Sequence, residues 1–195
     1  MPKVGSTTHP LIINIRGTSG SGKTTVMREV VGALTAQDWE AVRVDEWQGK
    51  KRKQPLYYRN KSTGLITLGH YESTCGGCDN VGSARQVYEL IQLVRSKYPK
   101  DTILCEGLLL SEDTKWCSQL PNLKVLYLET DVEECLKRVR ARRLEAGNDK
   151  PLKEDNTRNR VAVIERSRIK LESIGVYCRS ASSSVASQII LEWIR

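Results

Sequence analysis

The sequence predicts an α/β fold, a parallel sheet with helices on both faces. Short apolar runs alternate with helical stretches along most of the 195 residues, the signature of βαβ units. The first run, Leu11-Ile12-Ile13-Asn14-Ile15, is apolar and β-branched, as suits a buried parallel strand. Directly after it, Gly17-Thr18-Ser19-Gly20-Ser21-Gly22-Lys23-Thr24 spells G-x-x-x-x-G-K-[ST], a phosphate-binding loop. Its glycines let the backbone wrap a phosphate with N–H groups pointing inward. Lys23 is spaced to reach the outer phosphates and the Thr24 hydroxyl to ligate Mg²⁺, with Thr25 joining the same site. Val26, Val30, Val31 and Leu34 then fall at helical spacing. They predict a helix over 22–37 whose positive N-terminal end faces the anion.

The later elements follow in order. Ala41-Val42-Arg43-Val44-Asp45 reads as a second strand ending on an acid. Residues 55–69 read as a β-hairpin, with Asn60-Lys61-Ser62-Thr63-Gly64 as its turn. A Gly-, Ser- and Cys-rich loop covers 69–82, and a helix over 83–98 stops before Pro99. Thr102 to Gly107 is a third strand with Glu106 at its end, and 123–129 a fourth. Asp131 caps a helix running to Ala146, and Gly147 stops it. A polar loop, a helix over 158–173, a fifth strand at 176–178 and a closing helix over 183–195 complete the chain. One domain of 195 residues is predicted. Its one departure from the alternation is an insertion over 47–80.

Charge is concentrated in that insertion. The formal net charge is +8, and residues 47–61 carry six basic side chains and no acid, leaving +2 for the rest. Trp47, Tyr57 and Tyr58 are interleaved with Lys50, Lys51, Arg52, Lys53, Arg59 and Lys61. Basic residues with aromatics are the footprint of nucleic-acid contact, against the plainer alternative of a solvated charged hairpin.

In open α/β sheets ligands bind beyond the C-terminal ends of the strands. That rule selects the phosphate loop, Asp45-Glu46, Glu106-Gly107 and the basic helix after the fourth strand. Asp45 is the expected catalytic base for a hydroxyl acceptor, with Glu46 able to share the role. Glu106 is the expected second acid near Mg²⁺, where a buried carboxylate without a partner would be costly. In Lys137-Arg138-Val139-Arg140-Ala141-Arg142-Arg143, Arg138 and Arg142 stand at i, i+4 and can clamp a transferring phosphoryl together. Residues 137–157 are expected to work as a lid. Cys75-x-x-Cys78 suggests zinc or a redox pair, but zinc needs two more ligands and only His70 is near. A tight turn presenting Tyr71, Glu72 and Asp79 to a substrate is the better reading.

The phosphate loop, the acid after the second strand and the arginine-rich helix together resemble the nucleoside-monophosphate and polynucleotide kinase group of phosphate-loop kinases. The resemblance covers most of the chain. It implies a three-layer sandwich around a five-stranded parallel sheet of order 2-3-1-4-5, with ATP–Mg²⁺ as donor. Leu68-Gly69-His70-Tyr71-Glu72-Ser73 followed by Cys75-Gly76-Gly77-Cys78-Asp79 looks like thymidylate-kinase-like enzymes of bacteriophages. Some of these phosphorylate 5-hydroxymethyluracil in DNA during thymidine hypermodification. That resemblance implies DNA containing modified thymidine as partner, with Trp47, Tyr57 or Tyr71 stacking on the target base. Thymidylate kinases carry Asp-Arg-Tyr/His after the third strand, where this chain reads Glu106-Gly107-Leu108. A nucleotide kinase, a strand-end kinase and a non-catalytic nucleotide switch are the alternatives.

No apolar run approaches the ~20 residues of a membrane-spanning helix, and the first residues lack an apolar leader. A cytoplasmic protein with six reduced cysteines is expected.

Overall fold

A computed structural model describes residues 9–34, 38–71, 76–148 and 151–195. Its strands are β1 (Ile12–Arg16), β2 (Trp39–Val42), β3 (Glu46–Trp47), β4 (Lys50–Lys51), β5 (Tyr57–Asn60), β6 (Leu65–Leu68), β7 (Thr102–Glu106), β8 (Leu123–Leu128) and β9 (Tyr177–Ala181). Its helices are α1 (Lys23–Ala33), α2 (Ala84–Lys97), α3 (Leu108–Glu112), α4 (Val132–Glu145), α5 (Glu154–Ser173) and α6 (Ser183–Ile194). Seven strands form one sheet in the order β2-β5-β6-β7-β1-β8-β9, and β3 and β4 pair as a separate small hairpin.

The five strands β6-β7-β1-β8-β9 are parallel and reproduce the expected 2-3-1-4-5 order. The sheet is wider than the five strands predicted, and its second position has a different occupant. Of the run expected there, 41–45, only Ala41 and Val42 are strand, in β2, an antiparallel edge strand paired to β5. β6, the return strand of the predicted hairpin, takes the position instead, pairing Leu65 with Thr102 and Ile66 with Ile103. The reason is burial. A strand between two neighbours, covered on both faces, must be apolar throughout. Leu65 to Leu68 are all buried, whereas β2 carries the exposed Glu40. The turn leading into β6 is set by Asn60, whose Oδ1 accepts from the N–H groups of Ser62 at 3.1 Å and Thr63 at 2.9 Å.

Successive residues of each parallel strand point into opposite layers. Ile12, Ile103, Val125 and Tyr127 pack with Val87, Leu90, Ile91 and Val94 of α2 and with Ile164 and Leu171 of α5. Ile13, Ile15, Leu104 and Leu126 pack with Val26, Met27 and Val30 of α1 and Ile189 and Ile190 of α6. This is the three-layer arrangement predicted.

Boundaries shift modestly. The helix expected over 22–37 is α1, and residues 35–37 lie outside the described set. α5 begins at Glu154 rather than near 158. The short α3 was not predicted. The Asp131 cap is present, its Oδ1 accepting from the N–H groups of Glu133 at 2.8 Å and Glu134 at 3.2 Å. Asp131→Ala should therefore cost about 1 kcal/mol, read by urea denaturation. Among the described residues no helix is long and apolar enough to cross a membrane.

Candidate active site

The phosphate loop joins β1 to α1 and is held in place from three sides. Gly22 caps α1 in the left-handed region, at φ 99°. Gly20, at φ +84°, lies so close to α4 that a Cβ there would meet the Cys135 carbonyl oxygen at 2.4 Å. A side chain at this position would push the loop off the helix. The Gly17 N–H donates to Ser111 Oγ of α3 at 3.2 Å. Beneath the loop, the fully buried Arg16 donates to Asn14 Oδ1 at 2.6 Å, Asp113 O at 2.7 Å and Ser167 Oγ at 3.2 Å. It fastens the end of β1 to α5 and to the residue just past α3. Thr18 and Ser21 are buried in the loop, their hydroxyls without a hydrogen-bond partner among the described residues.

Lys23 is buried, and its ammonium donates to Gly17 O at 2.8 Å and Thr18 O at 2.9 Å. Burial lowers its pKa, while the nearby Glu106 and Asp79 carboxylates oppose the shift. Thr24 Oγ1 donates to Glu106 Oε1 at 3.0 Å. That pairing follows from topology, because β7 lies next to β1 and delivers Glu106 to the foot of α1. Burial raises the Glu106 pKa, opposed by Lys23 and by the Thr24 hydrogen bond. A hydroxyl and a buried carboxylate at hydrogen-bond distance are the hard oxygen donors that Mg²⁺ takes, so these residues fit that ion.

Gly77, just before Cys78, sits directly on Glu106. A Cβ on Gly77, at φ +81°, would meet Glu106 Oε1 at 2.4 Å. The 3-10 turn Cys78–Asn80 then brings Asp79 to the start of α3. The Asp79 carboxylate accepts from the N–H groups of Leu108 at 2.9 Å and Leu109 at 3.1 Å. Cys78 is a buried thiol whose pKa is pushed up by burial, as a packing residue's would be. Cys75 and Glu72 lie outside the described residues.

One cavity of about 680 Å³ gathers much of the predicted set: Ser19, Gly20, Gly22 to Thr25, Asp79, Glu106, Arg138 and Arg142. Arg138 donates to the Gly20 carbonyl at 3.3 Å and pairs with Glu134 at 2.9 Å. Arg140 and Arg158 turn away, joining α4 to α5 through Glu154 and Glu133. Of residues 137–157, expected to work as a lid, Asp149 and Lys150 lie outside the described set.

Other expected residues are elsewhere. Asp45 is exposed, does not line this cavity, and follows an edge strand rather than the second parallel strand. Glu46, Trp47, Lys50 and Lys51 form the small hairpin β3–β4. Trp47 packs against the core, and its indole N–H is buried without a partner among the described residues. Tyr57 is a core residue in edge contact with Tyr98. Tyr71 packs against the α1–α6 core and donates to Leu68 O at 3.2 Å. Both tyrosines are held against the cores. Arg52 holds the hairpin to the cavity rim, donating to the Asn80 carbonyl at 2.8 Å.

The cavity also includes residues the sequence reading passed over, among them Asn80, Arg28, Glu29, Ser183 and Ser184. The strand-end rule could have found Ser183 and Ser184, which follow β9 as the phosphate loop follows β1.

The model of the AAA domain family matches residues 12–166. A protein of Pseudomonas phage PaMx11 named 5-hmdU DNA kinase is 41% identical over 148 residues, 72% of this chain and 73% of that protein. A protein of the same name from Pseudomonas phage M6 is 26% identical, covering 81% of this chain and 83% of its own. Among solved structures, the YorR protein of Bacillus subtilis, in complex with phosphorylated GDP, superposes with a TM-score of 0.50. It is 14% identical over 93% of this chain and 95% of its own, a likeness of fold.

Proposed function

The chain belongs to the AAA domain family, in the group whose phage members are named 5-hmdU DNA kinases, and on that footing we propose that it transfers the γ-phosphoryl group of ATP to the hydroxymethyl oxygen of 5-hydroxymethyluracil in DNA. The observation that carries the reading is the cavity itself. Phosphoryl-handling residues line it, and its rim at Asn80 is tied by Arg52 to the basic hairpin.

The roles divide by position. The loop N–H groups and Lys23 cradle the β- and γ-phosphates of ATP. Thr24 and Glu106 would hold Mg²⁺, which would neutralise charge on those phosphates. Arg138 and Arg142 meet the charge that spreads over the transferred group. The acceptor oxygen bonds to phosphorus as the bond to the β-phosphate oxygen breaks, and the hydroxyl proton passes to a carboxylate. Asp79 suits that last role better than Asp45. It lines the cavity, and two backbone N–H groups fix its orientation. The basic hairpin, with Lys50 and Lys51 exposed, suits a polyanionic acceptor better than a free metabolite.

The test offers ATP with four acceptors. These are a single-stranded oligonucleotide containing 5-hydroxymethyluracil, the same strand with thymine, the free deoxynucleotide, and an unmodified strand with a 5′-hydroxyl. Phosphate is expected on the first alone. Phosphate on the free nucleotide alone would make the protein a nucleotide kinase, and phosphate on strand ends a polynucleotide kinase.

A further inference from the structure

A strand bound at the cavity needs somewhere for its neighbouring bases to go, and the aromatics expected to stack on the target base are held against the cores. Tyr57 and Tyr71 belong to the two cores, and Trp47 packs on one of them. Trp116, which belongs to neither core, is paired with Tyr88, itself partly buried against the core under α2. Tyr88 of α2 and Trp116, just past α3, lie with ring centroids 5.5 Å apart at 38°. Both are only partly buried. Trp116 is held by the Asp113 carboxylate, which accepts from its N–H at 3.1 Å and from that of Cys117 at 2.8 Å.

Cations surround this pair. Lys115 Nζ is 4.9 Å and Arg85 Cζ 5.9 Å from the Trp116 ring centroid. Arg85 also pairs with Glu89 at 2.8 Å, and the other oxygen of Glu89 accepts from Gln48 at the tip of the basic hairpin, at 2.7 Å. Glu89 therefore links the hairpin to the aromatic pair. At its other end the hairpin is fixed to Asn80 through Arg52. These contacts lead from the cavity rim, through the hairpin that carries Lys50 and Lys51, to Arg85, Tyr88, Lys115 and Trp116, with Glu89 as the acid among the cations. A row of cations ending on aromatic faces is how single-stranded nucleic acid is held without base readout: phosphates meet the cations and unstacked bases lie on the rings.

We infer that Tyr88 and Trp116, with Arg85 and Lys115, form a stacking platform for unpaired nucleotides flanking the target base in single-stranded DNA. The inference rests on the DNA-kinase reading and extends it from the reacting nucleotide to the strand on either side. It implies that affinity for the acceptor depends on strand length, because a short acceptor fills the cavity without reaching the platform.

The experiment compares a long single strand carrying one central 5-hydroxymethyluracil with a dinucleotide carrying the same base. Trp116→Leu keeps apolar bulk and removes the ring. It should raise KM for the long strand by about 5- to 150-fold. Its kcat should stay within about twofold, and the dinucleotide should react as with the unsubstituted protein. Tryptophan emission should be quenched when the long strand binds, and Trp116→Leu should lose most of that quench. Lys115→Gln, at an exposed position that leaves the core untouched, should flatten the salt dependence of long-strand binding by about 0.7 log units. An unchanged long-strand KM in folded Trp116→Leu, equal losses on both acceptors, or an unchanged salt slope in Lys115→Gln would overturn the platform. If the unsubstituted protein phosphorylates neither acceptor, the DNA-kinase reading falls first and takes the platform with it.

Discussion

Glu106→Gln is expected to retain nucleotide binding and lower kcat by roughly 10²–10³-fold. The amide keeps the shape of the side chain and an oxygen for the Thr24 hydroxyl, so the 3.0 Å contact at the foot of α1 can survive. What it removes is a negative charge buried beside Lys23, the charge proposed to hold Mg²⁺. Nucleotide affinity rests mainly on the loop N–H groups and Lys23, which the substitution leaves in place. Calorimetry with ATP and steady-state kinetics separate the two effects, and turnover close to that of the unsubstituted protein would remove Glu106 from the metal site. The pH profile gives an independent reading. Burial raises the Glu106 pKa above the ordinary carboxylate value. The ionised form is the one that binds a cation, so activity is lost as pH falls through that raised pKa. The acid limb of kcat/KM for ATP–Mg²⁺, which reports the free protein before the cation binds, should therefore lie at higher pH than an exposed glutamate would give, and that of Glu106→Gln should lack it.

The donor half of this site was legible because its signals are local. Eight contiguous residues define the phosphate loop, and the apolar run before it and the helical spacing after it are neighbours in sequence. Glu106 was legible for a similar reason, as an acid ending an apolar run. The acceptor half depends on pairings between distant segments. Whether 41–45 or 65–68 enters the parallel sheet is decided against β7, more than thirty residues downstream. A clue was available, since Leu65-Ile66-Thr67-Leu68 is uncharged and Trp39-Glu40-Ala41-Val42 is not. With β6 in the second position, the strand-end rule points to residues after Leu68 and away from Asp45. Aromatics misled for a related reason. Tyr57 lies among basic residues in sequence, yet the hairpin's pleat turns it into the core against Tyr98, and Tyr71 packs against the core under α1 and α6. Trp116 carried no signal in its own neighbourhood, because its partner Tyr88 is on another helix.

Asp79→Asn against Asp45→Asn tests that relocation. Asp79→Asn should lower kcat by about 10²–10⁴-fold, the range for loss of a general base, while Asp45→Asn should stay within about twofold. Proton transfer needs a carboxylate within hydrogen-bond reach of the acceptor hydroxyl, and geometry takes precedence over residue type. Asp79 lines the cavity that holds Lys23, Glu106, Arg138 and Arg142, and Asp45 does not. Asp79 also caps α3, so lost activity could reflect a shifted helix rather than a lost base. Asparagine separates these causes. Its amide oxygen can still accept from Leu108 or Leu109, so one of the two capping bonds is retained while the basic group is gone. A structural defect would weaken ATP binding as well, because α3 supports the loop through Ser111 and the Gly17 N–H. Loss of a base would leave the ATP affinity unchanged and suppress turnover alone. The opposite pattern, with Asp45→Asn inactive and Asp79→Asn active, would mean that the β3–β4 hairpin swings over the cavity when the strand binds and carries Asp45 to the acceptor.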